Sequence, residues 1–181
     1  MLVMALTILE DVSFRIRKGE HIALVGPNGE GKSSFLNIIT MRQMPDAGDI
    51  KWSNRVTVGY LDQHTVLEKG KTIREILRDA FKHMFDLEKE MLDIYDKMGE
   101  ASDEEMSKYL EDTAEIQTML EHSGFYTIDA KIQEVANGLG LGELGLDKDV
   151  TDLSGGQRTK VLLTKLLLEN PTILVLDEPT N

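Results

Sequence analysis

The chain has 181 residues, of which 41% are hydrophobic and 29% charged, with a net charge of −12 and no cysteine. That length can bury a real core, and the absence of cysteine excludes both a disulfide framework and a thiolate metal centre. No apolar run reaches the roughly 20 residues that cross a bilayer, and a strong acidic excess opposes any broad grip on a nucleic-acid backbone. A cytoplasmic protein without direct DNA binding is therefore expected.

In chain order, residues 13–18 alternate apolar and polar positions and end at Gly19, a pattern that predicts a half-buried strand. Residues 21–25 are a short apolar run predicting a second strand that feeds into Gly26-Pro27-Asn28-Gly29-Glu30-Gly31-Lys32-Ser33. Residues 33–41 then read as a helix, with Phe35, Leu36, Ile38 and Ile39 on its buried side. Residues 46–48 form a turn, and residues 50–52 and 55–60 are predicted as two short strands around a turn at Ser53 and Asn54.

A long helical stretch follows. Met84, Leu87, Met91, Ile94 and Met98 recur at spacings of three and four, as do Met106, Tyr109, Thr113, Ile116 and Leu120. Between the two stripes, Ser102 and Glu105 make the S-x-x-E pattern of a capped helix start. The expectation is an antiparallel hairpin of two helices of about 18 residues, each about 27 Å long, with the methionines serving packing. Residues 79–129 hold 15 Asp or Glu against 4 Lys, a net of −11, so almost all of the excess charge lies on this hairpin and its flanks. Finally, residues 172–176 are wholly apolar and of strand length, suited to the middle of a parallel sheet.

Two of these segments carry chemistry. A glycine-rich turn between a strand and a helix presents backbone N–H groups to a phosphate at close range, and the helix adds the positive end of its dipole. Lys32 brings a point charge for the β- and γ-phosphates, and the Ser33 hydroxyl is placed to ligate Mg²⁺. At the carboxyl end of residues 172–176 stand Asp177 and Glu178, where ligands bind in open α/β sheets. Asp177 is assigned the magnesium or its water shell, and Glu178 the polarisation of a water that attacks the γ-phosphate. Loop and acids are expected to border one shared hollow.

With Leu153-Ser154-Gly155-Gly156-Gln157 added, the pattern resembles the Walker A, signature and Walker B elements of ATP-binding-cassette (ABC) ATPases over nearly the whole chain. Gln63, after Tyr60-Leu-Asp, matches the family's Q-loop glutamine. The resemblance implies an α/β P-loop core with a small antiparallel β part, and a helical subdomain carrying an inserted hairpin arm. It divides the chain into an N-terminal core part at 1–76, a helical subdomain at 77–152, and a signature helix with Walker B strand at 153–181. It further implies ATP and Mg²⁺ as ligands, with Gln63 acting in catalysis and on the metal beside Lys32 and Glu178, and Ser34 in the loop. Its partner would be a second cassette bound head to tail, whose nucleotide contacts Ser154, Gly155, Gly156 and Gln157.

Gln63 and Ser154 stand 91 positions apart, a wide gap that coincides with the hairpin. An arm at this place, with Tyr-Leu-Asp-Gln and Asp-Glu-Pro-Thr-Asn, is similar to the ABC-F subfamily, which implies two cassettes in one polypeptide and action on the ribosome. The alternatives are the nucleotide-binding subunit of a membrane transporter and a non-catalytic module switched by nucleotide. The acidic arm argues against a grip on ribosomal RNA. No aromatic precedes Phe14 to stack on adenine, the N-terminus has no room for the family's first strand, and Ser34 stands where threonine is commoner. The family pattern continues beyond Asn181 with the D-loop, another helix and a strand ending in the switch histidine, a role that none of His21, His64, His83 and His122 matches. A truncated piece, lacking the C-terminal part of the core, is therefore expected. Alone, it should bind nucleotide weakly and turn over near background.

Overall fold

The computed structural model describes residues 8–61 and 65–177. Its elements in chain order are α1 (Lys32–Ile39), β1 (Val58–Leu61), α2 (Ile73–Arg78), α3 (Lys82–Met98), α4 (Asp103–Ser123), α5 (Ile128–Gly138), α6 (Gly155–Leu168) and β2 (Ile173–Leu176). β1 and β2 pair in parallel, Val58 opposite Ile173 and Tyr60 opposite Val175. Just before them, Thr57 and Thr172 exchange bonds. The Thr57 N–H donates to Thr172 Oγ1 (3.3 Å) and the Thr172 N–H to Thr57 Oγ1 (3.0 Å).

The α/β class stands, but the β content is smaller than the sequence predicts. Residues 13–18, 21–25 and 50–52 form no strand, and 55–60 shortens to Val58–Leu61. In place of the expected antiparallel part, the described residues hold a single antiparallel bridge, Thr72 to Asp149. The reason is that alternation favours a pleated backbone, while a strand exists only where a neighbour supplies the ladder hydrogen bonds. Without that neighbour, Phe14, Ile22, Leu24 and Val25 are exposed, Val25 to 88%. Nor does α1 carry the expected buried side, since none of its residues is fully buried. Phe35 instead meets Phe14, ring centroids 5.3 Å apart.

The core lies among the helices. One apolar cluster joins Leu67, Ile73, Leu77, Phe81, Leu120, Ile132, Val161 and Leu168, so packing runs unbroken across positions 76/77 and 152/153. The hairpin forms as read, with helices of 17 and 21 residues. Ile94, Ile116, Leu120 and Thr113 are buried between them, and the Thr113 hydroxyl donates to Tyr109 O (2.8 Å). At the turn, the Ser102 N–H donates to Glu105 Oε2 (2.9 Å) and the Glu105 N–H returns to Ser102 Oγ (3.5 Å). The same reciprocal cap starts α2 with Thr72 and Glu75. These bonds to Ser102 and Thr72 hold both glutamates below the usual carboxyl range.

Sheet and helices meet at Gly59. It is buried in β1, and a Cβ there would lie 2.7 Å from both Leu166 Cδ1 and Pro171 Cγ. The proline ring cannot swing aside, so Gly59→Val should cost about 2 kcal/mol through overpacking. Thermal melting should then show a midpoint about 4–8 °C lower; an unchanged midpoint would mean that α6 slides off β1 freely.

Candidate functional site

The phosphate-type loop takes its shape from two glycines. Gly29 (φ 89°) and Gly31 (φ 86°) lie in the left-handed region, where other residues are strained. Gly31 is also the N-cap of α1, its carbonyl accepting the Phe35 N–H at 2.8 Å, and a Cβ on it would run into the Ile8 side chain. The backbone is therefore committed to glycine at the point where a ligand would approach.

Lys32 is folded back on its own loop. Its Nζ donates to Gly26 O (2.8 Å), Pro27 O (2.8 Å) and Asn28 Oδ1 (3.5 Å), which engages all three ammonium donors. A hollow of about 260 Å³ opens beside it, walled by Ile8, Asn28, Gly29, Gly31, Lys32, Ser33 and Ser34. Gly26 and Pro27 hold Lys32 through their carbonyls and, like the exposed Glu30, are not among the walls of the hollow. Ile8 was not anticipated from the sequence, because a lone aliphatic residue ahead of the loop carries no signal.

The second predicted cluster is only partly visible. Asp177 sits at the end of β2, half-buried, and accepts the Tyr60 hydroxyl on Oδ2 at 3.3 Å. Gln63 and Glu178 lie outside the described residues. The expectation of one hollow shared by loop and acid is corrected here, because Asp177 is not among the walls of the loop's hollow. Adjacent strand ends are held within a few ångströms by a ladder, and residues 21–25 make none with β2. Among the described residues, an indirect link between loop and acid runs through the guanidinium of Arg42, just past α1, which lies 4.3 Å from the centroid of the Tyr60 ring.

The glycine phrase Ser154–Gln157 opens α6. The Ser154 N–H donates to Gln157 Oε1 (2.9 Å) and the Gln157 N–H to Ser154 Oγ (3.3 Å). Arg158 ties the preceding turn through Leu153 O and Thr151 O, both at 3.1 Å. Ser154, Gly155 and Gly156 are exposed, and the phrase has no part in the loop's hollow. It presents a capped, positive helix end to solvent.

No His, Cys, Asp or Glu cluster among the described residues could hold a metal by itself. The oxygen donors Ser33 and Asp177 are of the kind that magnesium takes, one or two side chains completing a shell otherwise made of water and substrate phosphates. Among the described residues no helix is long and apolar enough to cross a membrane.

Glycine loop, following helix, acid-tipped strand and capped signature helix together define a P-loop nucleotide-binding domain. The ABC transporter family model matches residues 9–181, and the chain belongs to that family of ATP-binding cassettes. It is 62% identical over 96% of its length to the uncharacterized ABC transporter ATP-binding protein YfmM of Bacillus subtilis, covering 34% of that protein. Identity is 34% to ABC transporter F family member 2 of Arabidopsis thaliana (97% of this chain, 26% of that one). It is 37% to the energy-dependent translational throttle protein EttA of Mycobacterium tuberculosis (96% and 30%). The crystal structure of the archaeal ribosome recycling factor aABCE1 with the ribosomal stalk protein aP1 superposes with a TM-score of 0.57 at 27% identity, over 91% of this chain and 23% of that one. The chain thus spans about a third or less of the length of these relatives.

Proposed function

We propose that this chain is the first cassette of a two-cassette, ABC-F-type ATPase that binds Mg-ATP and hydrolyses it when closed against its second cassette. The observation that carries the reading is the loop itself: two left-handed glycines, a helix N-terminus and Lys32 converge on one hollow. The division into core parts at 1–76 and 153–181 and a helical subdomain at 77–152 belongs to the same proposal.

The residues divide the work as follows. Backbone N–H groups of Gly29 to Ser33 would cradle the phosphates, and Lys32 would exchange loop carbonyls for phosphate oxygens, with Ser34 beside it. Ser33 and Gln63 would ligate magnesium, and Asp177, outside the loop's hollow, would hold it through its water shell; the ion when bound neutralises charge developing on the phosphates. Glu178 would orient and polarise the attacking water. Ser154, Gly155, Gly156 and Gln157 would close over the nucleotide of the second cassette and so make turnover depend on pairing. Catalysis of this kind is positioning and charge neutralisation, with no covalent step for the protein.

The cellular setting we infer is the cytoplasm and the ribosome. It rests on likeness to an ABC-F protein and to a protein named a translational throttle. The test is Glu178→Gln in the full-length protein. Turnover should fall about a hundredfold or more while ATP remains bound, and the trapped form should sediment with ribosomes. Unchanged turnover would overturn the assignment of Glu178, and trapping without ribosome association would overturn the setting.

A further inference from the structure

We propose that Tyr60 is a positioning residue that sets the Asp177 carboxylate and couples it to the phosphate-loop helix. The proposal deepens the functional reading above and rests on its assignment of Asp177 to magnesium.

The geometry follows from the pleat. Tyr60 is in register with Val175, so the two side chains leave the same face of the sheet, and Asp177, two residues on, shares that face. Two residues of strand rise about 7 Å, a gap that a phenol leaning along the strand spans and a shorter hydroxyl side chain does not. Its hydroxyl donates to Oδ2 of Asp177. This one donor among the described residues sets the rotamer through one carboxylate oxygen, and the other oxygen is the one offered to a metal or its water. Bonds of this supporting kind typically change metal affinity by about 10–100-fold.

Arg42 supplies the second half of the argument. Its backbone N–H donates to Asn37 O (2.9 Å), which fixes it to the end of α1, and its guanidinium covers the Tyr60 ring. A cation over the ring face draws electron density from it and makes the hydroxyl a stronger donor. The sheet provides no ladder between residues 21–25 and β2, and α1 has no fully buried residue. The line Asn37–Arg42–Tyr60–Asp177 is therefore a physical path along which movement of the loop helix reaches the acid.

The test uses the full-length protein, Tyr60→Phe and Arg42→Gln, with Mn²⁺ as probe. ATP affinity is measured in EDTA, and Mn²⁺ is then titrated into the ATP-bound protein and followed by its electron paramagnetic resonance. Tyr60→Phe keeps ring and stacking and should leave the EDTA affinity unchanged while weakening Mn²⁺ about tenfold. Arg42→Gln should weaken Mn²⁺ about threefold. Wild-type Mn²⁺ affinity in Tyr60→Phe overturns the proposal, and so does an equal loss in EDTA, which would mark a merely structural role. If Mn²⁺ binding in Tyr60→Phe stays normal and Asp177→Asn leaves it normal too, the assignment of Asp177 to the metal falls as well.

Discussion

Replacing Lys32 by alanine in the full-length protein should abolish tight nucleotide binding while leaving the fold almost untouched. The ammonium has three donors on its own loop, two of them at 2.8 Å, and it is the cation in the wall of the loop's hollow. Charge-assisted hydrogen bonds contribute about 1.5–3 kcal/mol each, so losing those it would make to a triphosphate should weaken binding about a hundredfold or more. Stability has an opposite contribution. Lys32 is the first residue of α1, where its charge faces the positive end of the helix dipole, a penalty of about 0.3–1 kcal/mol. Removing it also frees the carbonyls of Gly26 and Pro27, which reach water in an open loop. The two effects nearly cancel, and the melting temperature should stay within a few degrees. Calorimetric titration of ATP into wild type and Lys32→Ala, paired with thermal melts, checks both halves. A large loss of stability alongside the loss of binding would mean that Lys32 holds the loop together and is not poised for phosphate.

What the sequence disclosed and what it hid divide along a physical line. Features fixed by a few neighbouring residues were legible. The loop needs glycine at 29 and 31 whatever surrounds it, and Ser102 with Glu105 caps α4 through bonds spanning three residues. The hairpin was legible too, because its stripes repeat often enough to name the partner face. Strands were over-read. Residues 13–18 and 21–25 have the right alternation, but their state depends on ladder partners far away in sequence. The same dependence hid the site's arrangement. Nothing in Tyr60-Leu-Asp-Gln announces that the phenol reaches across the sheet to Asp177, 117 positions away. The helical core across positions 76/77 escaped as well, since α2 has only six residues, too few for a periodic signal.

That short helix is where the largest loss of stability should be found. Ile73, Ile76 and Leu77 are all buried, and Leu77 has no exposed surface where α2 packs against α5 and α6. Leu77→Ala removes three carbons from a site closed by helices on two sides, and a cost of about 3 kcal/mol follows from lost transfer energy and the cavity left behind. The melting midpoint should drop by about 6–12 °C. The nearby ion pair makes an instructive contrast. Arg78 donates to both oxygens of Asp129, at 2.9 and 2.5 Å, and joins α2 to α5, while its bond keeps the Asp129 carboxyl below the usual range. Yet the side chains are 41% and 54% exposed, so water screens them, and Asp129→Asn should cost no more than about 1 kcal/mol. Packing, not charge, fixes α2, and α2 in turn supports α6, whose first turn is the signature phrase. Leu77→Ala should therefore speed amide exchange along α6 and slow the turnover proposed above for the full-length protein, with ATP affinity at the loop unchanged. If instead Asp129→Asn melted lower than Leu77→Ala, the ion pair would be what holds the signature helix in place.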